Sequence, residues 1–414
     1  MIKERIQTNN ARGVIMLMKN QRAHIGIFGR RNVGKSSLIN ALAGEDISIV
    51  SEHAGTTTDP VNKTMELGEV GPVVLIDTAG IDDTGDIGVK RIIATKKVIK
   101  KINLGILVIT NNEFNIPEME IIKDFEEYNI PFFVVYNKSD IDKLNAEKKK
   151  EIELRSKTEV IEFSSVTKQN LNLVLEAARK YMPDSVFNNP SILGDLVSPG
   201  DVVMLVTPVD IEAPMGRMIL PQMQTVRDVL DNNCINIVLK ETELELFFKK
   251  FNIKPKLVIT DSQAFKKVNS IVPRDIPITG FSILFSRLKG NFKKYVEGTK
   301  QISNLKDGDN VLILESCSHH IISDDIGREK LPRWISDFTG KKINFDVVAG
   351  LDSIPKNIKE YSLVIQCGGC MLTRKQVLNR LKPAIDNNIA VSNYGMAIAY
   401  THGIFERAIE IFNR

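Results

Sequence analysis

The sequence predicts an α/β fold in three domains, the first built on a mainly parallel sheet. Short apolar runs alternate with amphipathic stretches, one such run leads through a glycine-rich loop into a helix, and the chain is too long for one ordinary core. At 414 residues it fits about three domains at ~150 residues each.

The first domain is expected over residues 1–184. From 24-HIGIFGRRNVGKSSLINAL-42 to about Tyr181 the runs VVLIDT, LGILVIT, PFFVVYNK and VIEFSS recur at the spacing of βα units. It closes in MPDSVFNNPSILGD, dense in the Pro, Asn, Asp and Gly that suit a linker. Residues 185–270 read as a smaller α/β domain, with strands DVVMLVTPVD and CINIVLK and helices PQMQTVRDVLDNN and ETELELFFKKF. Its insertion 208-PVDIEAPMGRMILPQ-222 clusters apolar residues and prolines that either serve self-association, which a substitution at Met215 would test, or simply pack on their own domain. Residues 271–414 carry four more apolar strands, VLILES, INFDVVA, YSLVIQ and NIAVSN.

Composition narrows the partners. Lys+Arg at 55 against Asp+Glu at 51 leave only +4, a field too weak to demand a polyanion or a membrane surface. The charge run AEKKKEIELRSK reads as a solvated helix face. No run of roughly 18 apolar residues and no signal-peptide layout occur, so a cytoplasmic protein is expected. Four cysteines are too few for a disulfide scaffold, and a reducing compartment keeps them as thiols or metal ligands.

The motif 29-GRRNVGKS-36 fits the phosphate-binding loop G-x-x-x-x-G-K-[ST], between a strand and a helix as that loop requires. Gly29 and Gly34 let the backbone curl round phosphates, Lys35 offers a point charge to the β and γ oxygens, and the Ser36 hydroxyl suits Mg²⁺. Val33 and Ser37 complete the loop's candidate contacts. In 77-DTAG-80, Asp77 follows a strand toward the metal and the Gly80 N–H is expected near the γ-phosphate. Thr57 of 55-GTTTD-59 is the favoured hydroxyl to complete the Mg²⁺ shell. In 137-NKSD-140 the Asn137 amide and the Asp140 carboxylate match the donor and acceptor edges of guanine, with Lys138 between them, so the nucleotide is GTP. Ile81 stands where a water-orienting Gln serves in Ras-like proteins, and basal hydrolysis should be slow.

These motifs resemble the Era and MnmE branch of the translation-factor class of GTPases over roughly residues 22–180. The resemblance implies that 163-FSS-165, through Ser164 and Ser165, is the last guanine-contacting loop. It also implies that Asn32 helps bind a K⁺ ion in place of an arginine finger. Lys35, Asn32, Thr57 and Gly80 are then the catalytic candidates.

Cysteines remain. Cys367 and Cys370 form a C-x-x-C after the strand YSLVIQ, and Cys317 follows the strand VLILES. Two strands of one parallel sheet bring their C-terminal ends to the same edge, so the three can converge. A 4Fe-4S cluster, zinc on Cys₃His and a redox dithiol all stay open on this reading. His319 or His320 could supply a fourth ligand, and Cys234 reads as a packed structural thiol.

The whole chain resembles the FeFe-hydrogenase maturation GTPases of the HydF family: a GTPase head, a small middle module, and a tail with 317-CSH-319 and 366-QCGGC-370. Gln366 stands where that family usually has histidine. The resemblance implies a middle domain that makes a homodimer and a third domain holding a 4Fe-4S cluster on Cys317, Cys367 and Cys370. It further implies a di-iron precursor received from the radical-SAM maturases HydE and HydG and delivered to the apo-hydrogenase HydA, with no nucleic-acid or membrane partner. The rival is a ribosome- or RNA-associated GTPase whose tail binds zinc or acts as a redox switch.

Overall fold

The computed structural model describes residues 22–44, 61–82, 94–187, 190–208, 218–316, 325–350, 352, 354–370 and 372–413. Thr57, Cys317, His319, His320 and most of the 208–222 insertion, Met215 included, lie outside them. The chain divides into two compact units, residues 1–189 and 190–414.

The first unit is a six-stranded sheet of β1 (Ala23–Phe28), β2 (Val61–Leu67), β3 (Gly71–Asp77), β4 (Leu104–Ile109), β5 (Phe132–Tyr136) and β6 (Val160–Glu162). The order is β2-β3-β1-β4-β5-β6, parallel throughout except for the antiparallel β2–β3 pair. Every residue of β4 is buried, which explains its unbroken apolar run: both faces are covered. One core layer packs around Leu38, Leu75 and Phe133, the other around Phe28, Phe125 and Val134.

The second unit contains two four-stranded parallel sheets. One is β10-β9-β7-β8, from β7 (Val202–Val206), β8 (Ile235–Leu239), β9 (Leu257–Thr260) and β10 (Ile278–Gly280). The middle sheet thus runs on past residue 270. The other is β12-β11-β13-β14, from β11 (Asn310–Glu315), β12 (Asn344–Ala349), β13 (Tyr361–Gln366) and β14 (Ala390–Asn393). The two share apolar layers: Phe265 and Ile283 belong to the core of the β11–β14 sheet, and Ile411 to that of the β7–β10 sheet. Shared burial is the physical reason they form one unit. Among the described residues no helix is long and apolar enough to cross a membrane.

Candidate functional site

In the first unit the chain leaves β1 and curls into the helix Lys35–Ala43. Gly29 (φ 147) has no room for a side chain, since a Cβ there would lie 2.2 Å from the Val108 carbonyl oxygen. At Gly34 (φ 88) a Cβ would sit 2.3 Å from Asn137 Nδ2. Asn32 takes a left-handed backbone (φ 59) that asparagine tolerates, and its side chain is exposed. Lys35 Nζ donates to the carbonyls of Gly29 (3.0 Å) and Arg30 (2.7 Å), so the loop closes round the ammonium.

The Ser36 hydroxyl donates to the Asp77 carboxylate from the end of β3. Two oxygen ligands side by side at this point suit a hard divalent cation such as Mg²⁺. Gly80 is buried against Arg31, and the next residue, Ile81, donates its N–H to the Gly29 carbonyl at 3.3 Å. Val33 is buried and Ser37 exposed at the start of the helix.

The base-recognition loops meet the phosphate loop through one side chain. Asn137 is buried: its Nδ2 donates to the Val33 carbonyl at 2.9 Å, and its Oδ1 accepts from the Ser165 N–H (3.2 Å) and hydroxyl (2.9 Å). Ser164 is fully buried and takes the Thr167 N–H at 3.1 Å. Lys138 adopts φ 62, while Asp140 stands exposed. The motifs 29–36, 77–80, 137–140 and 163–165 therefore converge at one edge of the sheet, beside the C-terminal end of β1 where the strand order reverses.

An additional support was absent from the sequence reading. Arg30 of the loop makes a bidentate pair with Glu118 (2.7 and 3.0 Å), whose carboxylate is 1% exposed and also accepts the Asn115 N–H at 2.8 Å. That pairing holds the Arg30 guanidinium above its usual basicity. The run 115-NIPE-118 carries the Asn, Pro and Glu spacing of a helix start, the local signal that could have drawn attention to Glu118.

In the second unit the relevant edge lies between β11 and β13, again where strand order reverses. Cys367 follows β13, and its Sγ accepts from the Ser316 N–H (3.1 Å) and, at 3.4 Å, from Gln366 Nε2. The Ser316 hydroxyl lies 2.7 Å from the same sulfur, and the Gly369 N–H reaches it as well. Burial pushes the Cys367 thiol up, and the Ser316 hydroxyl, the Gly369 N–H and the Arg380 charge oppose that shift. Gln366 Nε2 also reaches Ser316 Oγ at 3.1 Å, whereas Gln366 Oε1 and Tyr394 Oη are buried without partners among the described residues. Amide donors converging on one sulfur, with unsatisfied polar atoms at hand, fit a thiolate that ligates a metal group.

Gly369 turns through φ 64, and Lys289 Nζ donates to the Gly369, Cys370 and Leu372 carbonyls. Burial lowers the Lys289 ammonium to about 8, against the two thiols, which raise it. Arg380 spans the Glu315 and Val348 carbonyls, tying together the ends of β11 and β12. Among the described residues no three His, Cys, Asp or Glu side chains group as a metal site. Cys317, the expected third ligand, follows Ser316 directly but lies outside the described residues. Cys234 packs as expected: it is 6% exposed, and its thiol is raised by burial.

A phosphate loop, an adjoining Ser–Asp pair and an asparagine that binds both the loop and the 163–165 turn define a P-loop GTPase domain, here followed by two smaller parallel α/β domains. Residues 24–138 match a family model described as 50S ribosome-binding GTPase. Residues 192–290 match the hydrogen maturase F dimerization domain and residues 293–411 the hydrogen maturase F tetramerization domain, together more than half of the chain. The chain belongs to the hydrogen maturase F (HydF) family.

Similarity to curated proteins falls on the GTPase domain. The tRNA modification GTPase MnmE of Chromobacterium violaceum is 40% identical over 122 residues, 28% of this chain and 26% of that one. GTPase Der of Wolinella succinogenes is 39% identical over 124 residues, again 28% and 26%. The chain thus spans about a quarter of the length of these relatives. The G domain of the T. maritima FeoB iron transporter is similar at 21% identity and a TM-score of 0.30, covering 39% of this chain and 98% of that one.

Proposed function

We propose that this chain hydrolyses GTP and acts as a scaffold that holds a 4Fe-4S cluster, accepts a di-iron precursor and delivers it to apo FeFe-hydrogenase. The observation that carries the reading is the Cys367 sulfur, enclosed by donors from Ser316, Gln366 and Gly369 at the β11–β13 edge of a hydrogen maturase F domain. Cys317, one residue beyond Ser316, and Cys370 would complete three thiolates. Three thiolates would hold a 4Fe-4S cluster with one iron not ligated by cysteine, which would offer a place for a precursor. That open corner is what a carrier requires.

In the first domain Lys35 and the N–H groups at the start of the helix Lys35–Ala43 bind the β- and γ-phosphates, while Asn137 and Asp140 select guanine. Ser36, Asp77 and Thr57 would hold Mg²⁺, which supplies charge to the phosphate oxygens. Asn32 would help hold K⁺. Hydrolysis releases loops that the γ-phosphate had ordered, and so changes docking to the radical-SAM maturases HydE and HydG or to HydA.

Self-association as a homodimer is supported by the description of the middle domain and by its edge strand. Among the described residues β8 has one neighbour in its sheet and exposes Ile235 (55%) and Val238 (45%), an apolar edge of the kind that proteins otherwise protect.

The test is delivery. Protein co-produced with both maturases, purified without oxygen and mixed with apo-hydrogenase should restore hydrogen evolution, and protein made without the maturases should not. Equal activation by the two preparations would remove the carrier role.

A further inference from the structure

Lys289 is the last residue of the helix Phe281–Lys289, within the stretch that matches the dimerization domain, yet it serves the cysteine loop of the following domain. Its Nζ donates to the carbonyls of Gly369 (2.8 Å), Cys370 (3.2 Å) and Leu372 (2.8 Å). An ammonium has three N–H donors. All three are spent on this loop, and the stem passes near the Phe285 ring, 5.6 Å from Nζ to the centroid.

Among the described residues no carboxylate forms an ion pair with Lys289; what its Nζ holds is the backbone of the loop that carries Cys370 and follows Cys367. Removing a cation from water costs several kcal/mol unless an opposite charge answers it. Neutral carbonyls alone give partial compensation. A thiolate-bound iron–sulfur group gives the missing charge, because its net negative charge would stand beside the half-buried Lys289 and grow when the group accepts an electron.

We infer that Lys289 is the positioning residue and counter-charge of the iron–sulfur group at Cys367 and Cys370, holding the loop round the group and favouring its reduced form. The inference rests on the cluster reading above. Because trans peptide units point C=O and N–H in opposite directions, three carbonyls drawn to Lys289 leave the intervening loop free to turn amide N–H groups elsewhere. The link also joins two domains, so the helix that carries Lys289 fixes the loop from the middle domain.

The experiment reconstitutes the full-length parent, Lys289→Arg and Lys289→Met without oxygen. It measures iron and sulfide per chain, then the midpoint potential by EPR-monitored titration with dithionite, which donates the electron. GTP hydrolysis, in which Lys289 takes no part, controls for folding. In Lys289→Met the reduction equilibrium should fall at least tenfold, equivalent to ~59 mV for a one-electron couple, with Lys289→Arg close to the parent. Loss of iron from Lys289→Met alone, with Lys289→Arg retaining it, also supports the assignment. Equal potentials and equal iron in all three overturn it, as does equal loss of iron from both variants, which signals packing alone. A parent that takes up no iron and sulfide removes the cluster reading and this inference together; a parent that does, with an unshifted Lys289→Met, removes the inference alone.

Discussion

Asn137 Nδ2 donates to the Val33 carbonyl at 2.9 Å, so one side chain spans the base-recognition loop and the phosphate loop. Its other amide atom accepts from Ser165, which brings the third nucleotide loop into the same node. Asn137→Ala leaves the buried Val33 carbonyl without this donor and frees the Ser165 turn. An unsatisfied buried group costs about 1–3 kcal/mol, so GDP and GTP binding should weaken by roughly ten- to a hundredfold. Fluorescent-nucleotide titration measures this; an unchanged Kd would show that the node does not shape the site.

Arg30 and Glu118 make an asymmetric pair. Glu118 is 1% exposed and Arg30 is 22% exposed, so Arg30→Ala strands a buried carboxylate while Glu118→Ala leaves a guanidinium that solvent can reach. Breaking a buried pair from the side that leaves its charge enclosed costs about 3–5 kcal/mol. Arg30→Ala should therefore lower the unfolding midpoint of the first unit more than Glu118→Ala does, as read by urea denaturation. The reverse order would count against this account of the loop.

His24 introduces a pH dependence. Burial lowers its imidazole to about 4 from an ordinary 6.5, and the nearby Lys101 charge adds to that. The unfolded chain therefore binds the proton more readily than the folded one. The stability this neutral ring contributes is complete above about pH 6.5 and is lost as pH falls toward about 4, on the order of 3 kcal/mol in all. In His24→Gln the fall in stability between pH 7.5 and pH 4.5 should be smaller than in the parent. Parallel pH profiles for the two proteins would show that the ring is not the source.

On the β8 edge, Val238→Lys places a charge where a second copy would have to pair. The molar mass from light scattering should drop by one subunit step, with the GTPase rate per chain retained. An unchanged mass would move the interface elsewhere, the 208–222 insertion included.

Gln366 tests how the cysteine loop tolerates the replacement of histidine. Its amide aims Nε2 at Ser316 and Cys367, a hydrogen bond that supports the sulfur. Gln366→Leu should keep full iron and sulfide. A variant that folds and hydrolyses GTP but holds no iron would make Gln366 indispensable to the site.

Much of this was legible in the sequence because local chemistry demanded it. The phosphate loop needs glycines at 29 and 34, the strand ends place Asp77 and Asn137, and parallel strands bring Ser316, the residue before the expected ligand Cys317, to the same edge as Cys367. Long-range pairings were not legible. Lys289 at a helix end reads as an ordinary solvated cation, and nothing near it in sequence announces a loop 80 residues away. Arg30 likewise finds Glu118 across 88 residues, although the helix start at 115–118 was visible. The border between the second and third domains carries no composition shift, because Phe265 and Ile283 are buried in the core of the third sheet.

The central claim is that the tail holds an iron–sulfur cluster. It is tested most directly by purifying the parent and Cys317→Ser without oxygen and measuring iron, acid-labile sulfide and zinc in both. Iron and sulfide in the equal proportions of a 4Fe-4S core, present in the parent and lost in the variant, are the predicted result. Stoichiometric zinc without sulfide would contradict it and point to a tail of the Cys₃His kind.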